Sequence, residues 1–308
     1  IISLNCKSPS TSSLVSVNPV PSANAISNQF LCKGSNTSSI TFTGAVAGTV
    51  YNWTNSNAGI GLASSGSGDI PSFSVENNGN SPIVGTITVT PSFTLNGVVC
   101  NGVPISFTIT VNPTPIIDNI ANQIVCNGQN TTIAISGAST SYNWSYNSTN
   151  IGLPATGTLS SSGSNSSAST SFNAINNGND PIAATLMVTP NFISGGLTCI
   201  GTPKIFTIIV NHTPIVDNIS SQVKCNNTSN DAIIFTGNNA SNKYDWIHTN
   251  TTIGLPESGT GNIPFFSATN TGSSPNLSIF TVTPKYVNGG TTCIGTEKNF
   301  NFTVNHTP

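Results

Sequence analysis

The residues of this chain that could do chemistry are few and widely spaced. The 308 residues include seven Cys, three His and nine acidic residues. Cysteines form disulfides or bind zinc, and a histidine beside a nucleophile and an orienting acid can catalyse hydrolysis. His248 is isolated in the sequence, and the nine acids are too dispersed to predict a carboxylate pair for glycoside hydrolysis. We therefore expect no catalytic site and no cofactor.

Recurring segments indicate that the chain is built from repeats. Each repeat begins after a Pro-rich junction (VNPVP, VNPTP or VNHTP) and soon reaches a cysteine. A short alternating segment ending in Gly follows, then a Y-x-W pair, an IGL tripeptide and an N-x-G sequence. A segment ending in V-T-P and a final cysteine-bearing segment complete the repeat, whose period is about 95 to 100 residues.

These repeats set the predicted domain boundaries. Three complete domains are expected at residues 20–112, 113–211 and 212–308, called below the first, second and third repeat. Residues 1–19 resemble the last strand of a truncated preceding repeat. We therefore expect the parent protein to continue at least in the N-terminal direction.

The cysteines fall at two places in the repeat. Four are followed twelve residues later by Asn, namely Cys6, Cys100, Cys199 and Cys293. The other three stand near the start of a repeat, and the expected disulfides lie within repeats: Cys32–Cys100, Cys126–Cys199 and Cys225–Cys293, with Cys6 unpaired in this segment. Closing a loop of roughly 70 residues contributes about 4 kcal/mol in the chain-entropy model. Zinc is the alternative, but no C-x-x-C or neighbouring His supports it.

Composition excludes several classes of function. Charged residues make up 5% of the chain, the seven basic residues are all Lys, and the net charge is −2. Nucleic-acid binding needs a basic stripe and membrane-surface binding needs basic patches, so neither partner is expected. No run of 18 apolar residues is present, which predicts no membrane insertion by this segment.

Residue types and alternation predict an all-β fold. Asn, Ser, Thr and Gly dominate, and strong helix formers are scarce. The last segment of each repeat alternates apolar and polar residues, as in Phe107, Ile109 and Val111, which predicts a strand with one buried face. Gly-containing turns before it, at Asn96–Gly97, Gly195–Gly196 and Gly289–Gly290, predict hairpins. The pattern favours tandem immunoglobulin-like β-sandwiches in an extended array, joined by stiff Pro-rich linkers.

The aromatic and junction residues admit two interpretations each. The three tryptophans could be sugar-stacking platforms or could pack in the core. Their recurrence at one place in every repeat favours the core for Trp53, Trp144 and Trp246. Asp118 and Asp217 follow the junction prolines, where calcium could stiffen a linker, but the first repeat has Asn24 there. His212 and His306 replace Pro19 and Pro113 of other junctions and are expected at the linker surface. No metal site is predicted.

The ordered set of Y-x-W, IGL, V-T-P, C-x-G and VNPTP resembles the PKD-like, immunoglobulin-like repeats of large Bacteroidota surface proteins. Such repeats occur in type IX-secreted adhesins, including gliding adhesins, and the resemblance implies a β-sandwich stalk unit on the bacterial cell surface. The acidic G-D-G segment that follows the Trp in ordinary PKD domains is absent here. The resemblance therefore implies no calcium or ligand site.

The leading hypothesis is a non-catalytic spacer in a long extracellular adhesin or surface fibre. Its partners would be neighbouring repeats of the same chain and, in a filament, other copies. The alternatives are a glycan- or protein-binding module that uses variable loops such as 160–169, and accessory domains of a secreted enzyme. Loop 160–169 carries no aromatic residue, which favours the spacer.

Overall fold

The computed structural model of the protein describes residues 16–146 and 150–307, and the side chains of all of these except 162–166. The expected unpaired Cys6 and most of the expected fragment 1–19 lie outside the described residues. Residues 16–19 are described and belong to no strand.

The first repeat forms one six-stranded sheet. Its strands are β1 (Gln29–Cys32), β2 (Val50–Asn55), β3 (Ser65–Ser67), β4 (Ile83–Leu95), β5 (Val98–Asn101) and β6 (Ile105–Asn112). The order is β1-β6-β4-β2-β3, and β5 forms a hairpin with β4. β1 runs parallel to β6, whereas the other pairs are antiparallel. This order joins the first and last strands of the repeat side by side.

The other two repeats have the same strand order. The second contains β7 (Gln123–Cys126), β8 (Asn130–Tyr146), β9 (Thr156–Asn173), β10 (Ile182–Ser194), β11 (Leu197–Ile200) and β12 (Lys204–Asn211). The third contains β13 (Gln222–Cys225), β14 (Lys243–His248), β15 (Ser258–Thr260), β16 (Asn276–Asn288), β17 (Thr291–Ile294) and β18 (Lys298–Asn305).

A second layer covers each sheet, and the repeats build it differently. In the first and third repeats it is held by isolated antiparallel bridges, Ile40↔Ile70 and Ile233↔Ile263 among them. In the second repeat β8 and β9 are long enough to pair from Asn130↔Asn173 to Ser145↔Thr156, with irregularities between Gly137 and Ser141. The segment 160–169, expected to be a variable loop, therefore lies within a strand, because β8 extends its pairing past the Gly137 irregularity.

The alternating residues face the space between the two layers. Phe107, Ile109 and Val111 are buried, as are their counterparts in the other repeats: Phe206, Ile208, Val210, Phe300, Phe302 and Val304. They pack in three separate clusters, one in each repeat. The prediction of an all-β fold of tandem immunoglobulin-like sandwiches is confirmed.

The IGL tripeptide forms the turn that closes the core beside β2 or its counterpart. Ile60, Ile151 and Ile253 are fully buried. The glycine that follows each has φ of 92° to 93°, a left-handed conformation that favours Gly. A Cβ on Gly152 would also lie 2.0 Å from the Asn173 carbonyl oxygen. The tripeptide therefore needs Ile to fill the core and Gly to adopt the left-handed backbone conformation.

The described backbone divides into two compact units. One runs to Pro115 and includes Phe192–Ile200, and the other comprises Ile116–Asn191 and Gly201–Pro308. The hairpin at 192–200, which belongs to the second repeat by sequence, thus groups with the first repeat. No helix among the described residues has the length and apolar character required to cross a membrane.

Candidate functional site: the cysteine-bearing hairpins

The hairpins that carry Cys100, Cys199 and Cys293 share one turn geometry. Both turn residues have positive φ: 52° and 79° at Asn96 and Gly97, with similar values at Gly195–Gly196 and Gly289–Gly290. Two consecutive left-handed residues match the twist of a two-residue hairpin, which explains the glycines and the single asparagine. The three predicted hairpins are confirmed.

The disulfides join different repeats. Cys32 is bonded to Cys199 and Cys126 to Cys293, each pair 167 residues apart in sequence. Cys100 and Cys225 are free. The predicted pairing within repeats, Cys32–Cys100, Cys126–Cys199 and Cys225–Cys293, is therefore wrong. Cys32 pairs with Asn112, at the end of β6 where Val111 pairs with Ile83 of β4, whereas Cys100 pairs with Phe93 near the other end of β4, roughly 33 Å away. The first cysteine meets the hairpin of the following repeat instead.

Close packing accompanies each disulfide. A Cβ placed on Gly195 would lie 2.1 Å from Cδ1 of Phe30, and one on Gly289 would lie 2.2 Å from Cδ1 of Ile124. The first residue of each hairpin turn is therefore covered by the side chain two positions before the bonded cysteine. Thr291 also donates a hydrogen bond through Oγ1 to the Ile124 carbonyl, at 3.1 Å.

The asparagine that ends each last strand belongs to the same contact. Asn112 and Asn211 are fully buried. Asn112 Nδ2 donates to the Ser194 carbonyl at 3.3 Å, and Asn288 Nδ2 donates to Asn211 Oδ1 at 2.9 Å. Asn18 makes the corresponding contact with the first hairpin, donating to the carbonyls of Leu95 and Val98 at 3.3 and 3.4 Å. A cysteine, an apolar residue and an asparagine thus receive each bonded hairpin.

The acidic junction residues anchor the linkers. Asp118 Oδ2 accepts from Ser136 at 2.6 Å, and Asp217 Oδ2 accepts from Thr236 at 2.7 Å. Asn24 occupies the same place in the first repeat and donates to Thr43 Oγ1 at 2.9 Å. A neutral asparagine serves equally well there because the contact is a hydrogen bond to a hydroxyl. No group of three potential metal-binding side chains occurs within 16–146 and 150–307.

Glycines let the linker backbone approach the sheet. A Cβ on Gly102 would lie 1.9 Å from the Pro21 carbonyl oxygen, and one on Gly295 would lie 1.7 Å from that of Pro214. Gly44 and Gly237 make equally close approaches to the carbonyls of Ser22 and Ile215. The residues after each junction proline are therefore packed against their own repeat, which shortens the part of the linker free to bend.

Two of the three histidines are buried. His212, expected at the linker surface, is fully buried, and that expectation is wrong. Its ring lies 4.3 Å from that of Tyr286, and Nε2 is 3.1 Å from Asn242 Oδ1. His248 is buried between Ser278 and the Pro256 carbonyl. His306 is half-buried. Neither buried imidazole contacts both an acid and a nucleophile, so neither belongs to a hydrolytic triad.

The tryptophans pack on glycines across the strand pair. Trp53 and Trp246 lie in core clusters, whereas Trp144 is partly buried beside the core, where Tyr142 is fully buried. Each Trp is paired with a glycine on the neighbouring strand: Gly66, Gly157 and Gly259. A Cβ there would lie 1.9 to 2.2 Å from the indole. One side of each indole therefore contacts a glycine, and Trp53 and Trp246 are buried whereas Trp144 is partly exposed.

The N-x-G sequence has a structural role that its sequence did not reveal. Asn77, Asn176 and Asn270 are buried. Asn176 Nδ2 donates to the Val210 and Asp180 carbonyls, at 2.7 and 2.9 Å, and its Oδ1 accepts from Gly178 N at 2.9 Å. The other two make the same three bonds. This side chain joins the turn to the last strand. Its recurrence at a fixed place in every repeat is the feature of the sequence from which that role could have been predicted.

Burial also affects two tyrosines. The pKa of Tyr142 is raised above its usual value because burial disfavours the phenolate, and the pKa of Tyr244 is raised for the same reason. Tyr142 Oη donates to the Gly137 carbonyl at 3.1 Å. The Tyr142 phenol is therefore a structural hydrogen-bond donor to the glycine that precedes the Y-x-W pair.

No protein-family model matches the chain, and no curated protein matches it. Among solved structures, titin fragment I67–I69 is similar over 95% of this chain and 100% of its own, at 10% identity and a TM-score of 0.48. ICAM-5 domains D1–D4 match 93% of this chain and 76% of theirs, at 11% identity and a TM-score of 0.38. Sidekick-1 immunoglobulin domains 1–5 match 93% of this chain and 59% of theirs, at 11% identity and a TM-score of 0.37.

Proposed function

We propose that the three repeats form a non-catalytic structural spacer in an extracellular adhesin or surface fibre. The observation that carries this proposal is the disulfide between the first strand of one repeat and the last hairpin of the next. A bond at that place restrains one repeat against its successor, which a spacer under load needs and an independent binding module does not.

The remaining chemistry supports the same role. His212 and His248 are buried by packing, and Asp118 and Asp217 accept hydrogen bonds at the linkers. Three other acids form ion pairs with lysines: Glu76, Asp231 and Asp245. Each tryptophan packs against a glycine of the neighbouring strand. Immunoglobulin-like sandwiches are common in extracellular structural and adhesion proteins.

The proposed location is the surface of a bacterial cell. Two disulfides suit an oxidising, extracytoplasmic compartment. The ordered repeat motifs resemble those of type IX-secreted Bacteroidota adhesins, which adds the proposal of that secretion route. The partners on this view are neighbouring repeats and other copies in a fibre.

Small-angle scattering tests the spacer. Three sandwiches with strands of about ten residues, placed end to end, would exceed about 100 Å. We expect a maximum dimension above this value, unchanged by EDTA because the linkers are anchored by hydrogen bonds. The matched control is the Cys126→Ser, Cys293→Ser double variant. Loss of this disulfide should broaden the distribution of interatomic distances obtained from the scattering. A compact particle in oxidised protein would contradict the spacer function.

A further inference from the structure

Charged residues are concentrated in the third repeat. The chain has seven Lys and nine acidic residues, and nine of these 16 lie between Asp217 and Lys298. Strand register brings four of them together: Lys243 pairs with Lys285, Asp245 pairs with Thr283, and Thr283 Oγ1 donates to Glu297 at 2.9 Å. The charged patch is the set of these four side chains, namely Lys243, Asp245, Lys285 and Glu297.

The charged patch lies on the outer face of its sheet. Side chains alternate along β14, where Tyr244 and Trp246 are buried and Lys243 is exposed. Glu297 is exposed as well. The other two members form an ion pair with each other, and their side chains remain 31% and 40% exposed. All four charges are therefore accessible to a partner.

The fold itself does not require these charges. The other two repeats have the same strand order, and they carry neutral residues at all four positions: Val50, Asn52, Ser92 and Pro104 in the first, and Ser141, Asn143, Asn191 and Pro203 in the second. Like charges directly opposite each other on neighbouring strands destabilise a sheet, and Lys243 and Lys285 are such a pair. The patch therefore points to a role outside the fold.

Two of the four charges lack an opposite charge within their own copy. Lys285 is paired with Asp245, and no ion pair within residues 16–146 and 150–307 includes Lys243 or Glu297. β16 separates these two residues, and their Cα atoms are roughly 12 Å apart from strand spacing and rise. The patch thus has a free positive end, a free negative end and no net charge. This pattern disfavours a polyanion as the partner and fits a surface with the same pattern reversed.

We propose that the charged patch binds the same patch on a second copy of the chain. A two-fold axis in the plane between the two faces, perpendicular to the line from Lys243 to Glu297, places Lys243 of each copy over Glu297 of the other. Ile247 and Ile294 flank the charges, are 57% and 63% exposed, and are removed from water by the contact. Because one surface serves both copies, the contact closes as a dimer.

This contact is weak and sensitive to salt. The charges extend over three strands, about 10 Å, which is a small part of the roughly 800 Å² that each partner contributes to a stable interface. Exposed ion pairs stabilise weakly and are screened by salt. The contact would join two chains side by side. It does not rest on the spacer function, since it depends only on the sheet of the third repeat.

Sedimentation equilibrium of the full chain tests the contact. The three cysteines outside the two disulfides are first alkylated with N-ethylmaleimide, so that covalent association does not contribute. We expect a monomer–dimer equilibrium whose dissociation constant rises about tenfold or more between about 0.02 M and about 0.5 M salt, because screening increases. Lys243→Glu or Glu297→Lys brings like charges together twice in each dimer and should weaken association to a similar extent. Monomer under all conditions, or dimers insensitive to both substitutions, would overturn the proposal.

Mixing the two variants separates docking from a general effect of charge. In a mixed dimer, position 243 of the Lys243→Glu copy faces position 297 of the Glu297→Lys copy, so both contacts join opposite charges. The mixture should therefore associate as tightly as the unaltered chain, although each variant alone does not.

The matched controls change the net charge by the same amounts at other places. They are Lys204→Glu in the second repeat and Glu257→Lys at an exposed position of the third. Alone or mixed, they should leave the dissociation constant within about twofold of that of the unaltered chain, since distant exposed charges are screened. A patch mixture that associates no more tightly than its separate variants would contradict docking through the charged patch.

Discussion

Cys126 and Cys293 are bonded across 167 residues, with their Cα atoms 5.5 Å apart. Around the bond, Gly289 lies beneath Ile124 and Thr291 donates to the Ile124 carbonyl. A loop of this length contributes about 5 kcal/mol in the chain-entropy model. Because the loop includes two repeats, its closure links the stability of one repeat to that of the next.

Peptide mapping under non-reducing conditions should find two disulfide-linked pairs, Cys32–Cys199 and Cys126–Cys293. The Cys126→Ser, Cys293→Ser double variant should lower the unfolding midpoint of both the second and third repeats, because the closed loop includes residues of each. Hydrogen exchange measured peptide by peptide would locate the loss. A Cys32–Cys100 or Cys126–Cys199 peptide from native protein would contradict this connectivity.

The sequence predicted which hairpins carry a cysteine but not which cysteine each of them bonds to. Equal numbers of receiving strands and hairpins allow a bond within a repeat or to the next repeat, and spacing alone does not distinguish them. The deciding fact is three-dimensional, because Cys32 and Cys100 lie beside opposite ends of β4 in the folded sheet. The contact between Phe30 and Gly195 was likewise impossible to predict from the sequence, since the two residues belong to different repeats.

The buried asparagines provide a test of stability. Asn176→Ala removes three hydrogen bonds and leaves the Val210 carbonyl and the Gly178 amide without this partner. We expect a loss of about 2 to 4 kcal/mol in the unfolding free energy of the second repeat. The measurement is hydrogen exchange of peptides from β10 and β12.

Asn177→Ala is the matched control, because Asn177 is the adjacent asparagine and is exposed. It should change stability by less than about 0.5 kcal/mol. Equal effects of the two substitutions would show that the buried amide does not join the turn to the last strand.

The glycine that faces each tryptophan gives a second test. Gly66→Ala would place a Cβ 2.1 Å from Cζ2 of Trp53, so the indole must move. We expect a loss of about 1 to 3 kcal/mol and a shift of the tryptophan fluorescence maximum to longer wavelength. Gly79→Ala is the control, since its nearest neighbour would be 3.5 Å away. An unchanged emission spectrum in Gly66→Ala would contradict the packing.

Local patterns were reliable where one strand or turn determines them. Alternation at Phe107, Ile109 and Val111 predicted the buried face, because period-two burial depends only on strand geometry. The burial of His212 was missed because Tyr286, whose ring packs against it, is far away in the sequence. The long β8–β9 pair was missed because Ser-rich segments resemble loops in composition although Ser160–Ser169 forms a strand.

Alkaline pH should weaken the second repeat through Tyr142. Its folded-state pKa is raised by burial, whereas the unfolded pKa is about 10. The unfolded state therefore releases the phenolic proton first, and the stabilising contribution is fully present below about pH 10 and lost as pH rises toward the folded pKa. Urea unfolding between pH 8 and pH 11, followed by the fluorescence of Trp144, measures this dependence.

Tyr142→Phe supplies the comparison for that pH series. At pH 8 the variant should be less stable by about 1 kcal/mol, because the hydrogen bond from Oη to the Gly137 carbonyl is lost. Above pH 10 its free energy of unfolding should fall less steeply than that of the unaltered chain, since no phenol ionises at this place. The two curves should therefore converge with increasing pH. Parallel curves would contradict a folded-state pKa of Tyr142 above its unfolded value.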